Sequence, residues 1–269
     1  MLNNVTFGQY IDTNSLLHKL DPRTKIILLI AIIVFIFLAG NFVSLGLVTL
    51  FSVLLIFVSK IPVKMYLKNL KIVLPIIVFT AIINAFYVTS GTVVLDWWIL
   101  NITTDGIARA IFMSVRVMLL ILVSAMLTYT TTPNDLTDAI ERLLSPFKFL
   151  GLGNVVHMLA MMITIALRFI PTLLEETQKI MNAQKARGAS FTEGKLVEKI
   201  KALIPILVPL LISSIRRAYE LAEAMECRCY NGGVGRSRMK QLKLKVKDLT
   251  AFIICAVFAS AVVVLNIFF

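Results

Sequence analysis

The chain has 269 residues, 58% apolar and 16% charged, with a mean hydropathy of +0.88. Soluble globular domains carry about 45–50% apolar and about 25% charged residues, which excludes an ordinary cytosolic enzyme, a disordered tail and a secreted disulfide scaffold. What remains is a polytopic helical membrane protein, and the placing of its net charge of +12 then sets its orientation.

Residues 1–23 are mixed and polar and do not read as a secretory signal. The first apolar run, Ile26–Ala39 with Thr24 and Lys25 at its edge, is short but dense. Phe42–Val58, Ile72–Val88, Ile107–Tyr129 and Leu249–Phe268 follow, close to the roughly 17–25 residues that a bilayer demands. Val155–Leu167 and Ala202–Ile215 are shorter, in the range of buried or interfacial helices.

Basic residues stay on the cytoplasmic side. Lys19, Arg23 and Lys25 precede span one, and none lies between spans one and two. Lys60, Lys64, Lys68 and Lys71 lie between spans two and three, and residues 89–106 have none. Eighteen lie between Thr130 and Asp248, and none follows. This alternation predicts five spans, the N-terminus in the cytoplasm and the C-terminus outside. Were the two shorter runs also spans, Lys179, Lys185, Arg187, Lys195, Lys199 and Lys201 would face outward. The expected organisation is therefore a four-span membrane domain over 1–129, a cytoplasmic, membrane-apposed helical domain over 130–248, and a fifth span over 249–269.

Within that middle domain, Thr132-Pro133-Asn134-Asp135 is a strong helix start, with Thr at the N-cap and Pro at the first helical position. That helix ends near Pro146. A second runs from about Asn154 to Ala186, apolar and Met-rich at first, with a kink expected at Pro171, then polar. A third begins near Glu193, contains Pro205 and Pro209, and ends about Cys229, before Asn231-Gly232-Gly233. Both long helices finish on similar residues, Ala183-Gln-Lys-Ala-Arg187-Gly188 and Ala224-Met-Glu-Cys-Arg228-Cys229, with the arginines 41 apart (228 − 187). Arginine favours any helix C-terminus by about 0.3–1 kcal/mol, but the duplicated context suits two equivalent partner sites. Arg236, Arg238, Lys240, Lys243, Lys245 and Lys247 precede the last span without an acid; they orient it, attract anionic lipid, or both, and do not imply nucleic acid.

No span contains Asp or Glu, which argues against an autonomous ion-coupled pump. Arg109 and Arg116 are the intramembrane cations; Arg116, about nine residues into span four, is expected to pair inside the protein with backbone or polar groups such as Asn84. Gly188–Lys195 has five residues between its glycines where a phosphate loop needs four. His18 and His157 have no partners at metal-ligand spacing, and Cys227-Arg-Cys229 is not a CxxC pair, so neither metal nor cofactor is expected. No nucleophile–base arrangement is present, and the chain reads as non-enzymatic.

Leu17-His18-Lys19-Leu20-Asp21-Pro22-Arg23-Thr24-Lys25, Thr132-Pro133-Asn134-Asp135-Leu136, Ala166-Leu167-Arg168-Phe169-Ile170-Pro171-Thr172 and Ala183-Gln184-Lys185-Ala186-Arg187-Gly188-Ala189 together resemble the transmembrane T component of energy-coupling factor transporters. Ala218, Ala224-Met225-Glu226 and Arg228 extend the resemblance over nearly the whole chain. It implies a coupling subunit of an ATP-driven importer of a vitamin or transition metal, in the cell membrane. Its partners would be two ABC-type ATPases, as a homo- or heterodimer, and a substrate-binding membrane S component. Ala186-Arg187-Gly188 and Cys227-Arg228-Cys229 would be the tips that dock on the ATPases; the second departs from the usual Ala-Arg-Gly. Met158, Leu159, Met161, Met162, Ile165, Ile206, Leu207 and Leu210 would contribute to the S-component surface, and they fit equally the packed core between the two helices. The alternatives are a stand-alone channel or facilitator, and a membrane enzyme using the cytoplasmic helices as its site.

Overall fold

In the computed structural model the described residues are 10–87, 90, 92–97, 100–146, 153–189, 196–231 and 244–268. They form the helices α1 (Pro22–Leu38), α2 (Phe42–Ser59), α3 (Val63–Tyr87), α4 (Thr104–Thr130), α5 (Pro133–Leu143), α6 (Gly153–Ala186), α7 (Leu196–Glu226) and α8 (Val246–Phe268). One antiparallel hairpin, β1 (Val93–Trp97) and β2 (Leu100–Thr103), joins α3 to α4, with Val93 opposite Thr103 and Trp97 opposite Leu100. The architecture is otherwise all-α and polytopic. Six helices, α2, α3, α4, α6, α7 and α8, are long and apolar enough to cross a membrane. At 17 residues, α1 meets the lower limit for a span. α6 and α7 qualify by length because each helix runs well past its short apolar run. Two compact units result, residues 10–139 with 244–268, and residues 140–231.

In the first unit α4 is central and packs against α1, α2 and α3, while α8 packs on α1 and α2. The core joins Ile32 and Ile36 of α1, Leu45 and Val48 of α2, Phe112, Leu119 and Val123 of α4, and Phe258 and Val262 of α8. Phe51 stacks on Phe258 with centroids 4.1 Å apart, and Phe42 meets Phe112 edge-on at 5.2 Å. α3 begins nine residues before its predicted span (72 − 63), because Lys64, Lys68 and Lys71 recur at helical spacing and carry the helix beyond the apolar run.

Polar groups tie the helix ends. Where α1 finishes, the Asn266 amide donates to the Leu38 carbonyl and its Oδ1 accepts from Gly40 N at 3.1 Å. Arg116 Nη2 donates to the Ala39 carbonyl, and its guanidinium lies 4.7 Å from the Phe112 ring centroid. Arg116 thus pairs with backbone as expected, but not with Asn84, which donates to Thr80 O one turn back at 2.8 Å. The reason is that α1's last carbonyls, lacking helical N–H partners, offer a cation a better site than an amide that is already bonded.

At the start of α1, Asp21 is the N-cap, accepting from Arg23 N at 3.0 Å, with Pro22 at the first helical position. Asp248, 2% exposed, accepts from Lys245 N at 2.7 Å and from Asp21 N at 2.8 Å, joining the starts of α8 and α1. The preceding segment folds across neighbouring helix ends: Ile11 N donates to Tyr129 O at 3.1 Å and Thr13 Oγ1 to Ser59 O at 3.2 Å. Thr132 caps α5 through Asp135 N at 3.2 Å, as its sequence predicts.

Candidate functional site

The second unit holds α6 and α7, and their ends share one backbone geometry. After α6, Gly188 N donates to Lys185 O at 2.9 Å and Ala189 N to Gln184 O at 3.0 Å, with Gly188 at φ 89°. After α7, Cys229 N donates to Glu226 O at 2.8 Å and Tyr230 N to Met225 O at 3.1 Å, with Cys229 at φ 54°. Both are Schellman caps: a left-handed residue follows the cap, and paired bonds satisfy the last helical carbonyls. Arg187 and Arg228 occupy the same C-cap position, and Ala186, Arg187, Gly188, Cys227, Arg228 and Cys229 are all exposed. The likeness of the two tips in sequence is therefore a likeness of structure. Glycine takes the left-handed conformation freely, whereas Cys229 pays for it.

α6 and α7 pack antiparallel. Glu176 Oε2 accepts from Arg217 Nη2 at 2.7 Å, and Ser213 Oγ donates to Glu176 Oε1. Beyond the end of α7, the Tyr230 hydroxyl donates to Met161 Sδ at 2.8 Å. Rising numbers on α6 thus meet falling numbers on α7. Arg228 lies near the Met161 level, and Arg187 lies 11 residues past Glu176 (187 − 176), about 16 Å along the axis. The 26 residues between Met161 and Arg187 (187 − 161) put the arginines on the order of 40 Å apart along the pair.

Sequence reasoning missed this crossing, although a signal for it exists. Arg217 precedes Arg228 by the same 11 residues, so acid and base sit at matching positions on the two helices. A groove of about 470 Å³ runs beside the crossing, lined by Ile165, Phe169 and Leu173 of α6 and Leu221, Ala222 and Met225 of α7. His157 Nδ1 lies 3.0 Å from Glu141 Oε1, linking α6 to the end of α5.

Of the predicted S-component surface, Met158, Leu159, Met162 and Leu207 are exposed, and Met161, Ile165 and Leu210 are partly so. Ile206, 5% exposed, belongs to the interior. Among the described residues no three His, Cys, Asp or Glu side chains cluster as metal ligands. Of the basic stretch, Arg236, Arg238, Lys240 and Lys243 lie outside the described residues.

The described residues thus form a multi-pass helical protein whose two long antiparallel helices end in matched, exposed arginines. The model of the family described as CbiQ, cobalt transport protein, matches residues 13–241. The energy-coupling factor transporter transmembrane protein EcfT of Ruminiclostridium cellulolyticum is 52% identical over 269 residues, covering all of both chains. The proteins of that name from Acidaminococcus fermentans and Bacillus subtilis are 48% identical over 259 residues and 41% identical over 260, covering 96% and 97% of each chain. The chain belongs to this family, the transmembrane T components of energy-coupling factor transporters.

Proposed function

We propose that the chain is the coupling subunit of an ATP-driven importer, carrying motion from two ABC-type ATPases to a substrate-binding membrane S component for uptake of a vitamin or transition metal. The chain performs no covalent chemistry, and ATP is hydrolysed by its partners. It lies in the cell membrane with its N-terminus in the cytoplasm. α1–α4 and α8 span, while α6 and α7 lie along the cytoplasmic face, where the six cations from Lys179 to Lys201 remain in water. Arg236–Lys247 meets anionic headgroups.

The observation that carries this reading is the pair of identical caps, each presenting one arginine at opposite ends of an antiparallel pair pinned by Glu176 and Arg217. A guanidinium is always charged and forks onto a carboxylate, so it suits an interface that is repeatedly rearranged. As the ATPases close on ATP, their two docking points move and carry the tips with them. The Met-rich start of α6, with Met158, Leu159, Met161, Met162 and Ile165, and Leu207 and Leu210 of α7, passes that motion to the S component.

The test is charge reversal. Arg187→Glu with Arg228→Glu should abolish copurification of the ATPases and uptake while leaving membrane insertion intact. Either single change should weaken association by roughly 30-fold, the scale of an arginine hot spot of about 2 kcal/mol. Normal uptake by the double variant would refute the reading.

A further inference from the structure

The segment before α1 and the joint between α4 and α5 meet at one lysine. Lys25 Nζ donates to Thr130 O at 2.8 Å and to His18 O at 3.4 Å. Thr130 ends α4, three residues before α5 begins at Pro133. The last carbonyls of a helix lack N–H partners and carry the negative end of its dipole, so an ammonium there both satisfies and attracts them.

Three carboxylates from three other places act on the same ammonium: Asp21 at the α1 N-cap, Asp135 in the first turn of α5 and Asp248 in the first turn of α8. Arg23 lies 3.9 Å from Asp21. The His18 ring faces Ile11 O at 2.9 Å and Ser15 Oγ at 2.6 Å, and the hydroxyl of Tyr129, on α4, donates to Met65 O at 3.4 Å. Lys25 thus bridges the preceding segment to the end of α4 and faces the start of α5.

We propose that Lys25 is a positioning residue whose charged ammonium clamps the α4–α5 joint and so fixes the start of α5 on the end of α4. Its bearing on transport rests on the coupling reading above. Charge-assisted bonds are roughly twice as strong as neutral ones. A neutral side chain would grip Thr130 O more weakly and lose the attraction of the three carboxylates. The ammonium therefore holds the last carbonyl of α4 with a donor that a shorter neutral side chain would not match.

The test compares backbone hydrogen exchange over residues 129–136, at one neutral pH, in purified wild type, Lys25→Arg, Lys25→Gln and Lys25→Met. Arginine keeps both donor and charge, glutamine keeps a donor alone, and methionine keeps neither. Lys25→Arg should be protected as wild type is. Lys25→Met should exchange about tenfold faster, the order expected for the loss of one charge-assisted hydrogen bond, and Lys25→Gln should fall between them. Full protection in Lys25→Met would overturn the proposal, as would Lys25→Arg exchanging as fast as Lys25→Met. Should Lys25→Met not fold, Lys25→Gln decides, and protection equal to wild type would overturn the role of the charge. Failure of wild type to copurify with ATPases would strike the coupling reading and leave the exchange result standing.

Discussion

Cys229 shows how far one residue can depart from its local ideal. Its φ of 54° matches the role that Gly188, at φ 89°, fills in the other tip, but its Cβ is crowded where glycine has none. Cys229→Gly should raise stability by about 1 kcal/mol, read from thermal unfolding of the purified chain, whereas Cys227→Gly, inside the last turn, should lower it. His18 makes a second prediction. Its Nε2 faces the Ile11 carbonyl, which only accepts, so this nitrogen carries the proton while Nδ1 accepts from Ser15. Burial lowers its pKa below 6.5. Between the lowered value and 6.5 the unfolded chain binds the proton that the folded chain refuses, so stability is lost as pH falls through about 6.5. His18→Gln, which keeps a donor for Ile11, should flatten that loss in an acid titration of thermal stability. At this scale sequence foretells little. That Arg116 needs an internal partner follows from its place in an apolar run, but that the partner is Ala39 O depends on where α1 happens to end.

Helix ends are more legible. Thr132-Pro133 and Arg187-Gly188 set their termini through local chemistry, a side-chain acceptor at one and a left-handed residue at the other. The β1–β2 hairpin was not anticipated, since the positive-inside count treats residues 89–106 only as a stretch without cations. The antiparallel crossing of α6 and α7 is a tertiary fact: helical periodicity places Glu176 and Arg217 on their own helices but does not say that they meet. A double-mutant cycle with Glu176→Gln and Arg217→Met should give a coupling of about 1 kcal/mol, because the pair is partly buried and shared with Ser213. Additivity of the two changes would mean that the crossing is held by apolar packing alone.

For the whole molecule, composition and cation placement define a multi-pass helical protein before any coordinates, because the cost of a charge in hydrocarbon leaves few topologies. They leave open what α6 and α7 do, since length and hydropathy alone would let both cross. The cations between them and their exposed arginine tips favour a moving part at the cytoplasmic face. The motion that the proposed coupling role entails can be measured. Ala183 and Ala224 are exposed, lie 41 residues apart (224 − 183) and hold equivalent places on the two tips. Spin labels there, with the native cysteines replaced by serine, report the tip-to-tip distance in the assembled transporter. The distance distribution should shift between the nucleotide-free and ATP-bound states and return after hydrolysis; identical distributions in an actively transporting complex would contradict the account.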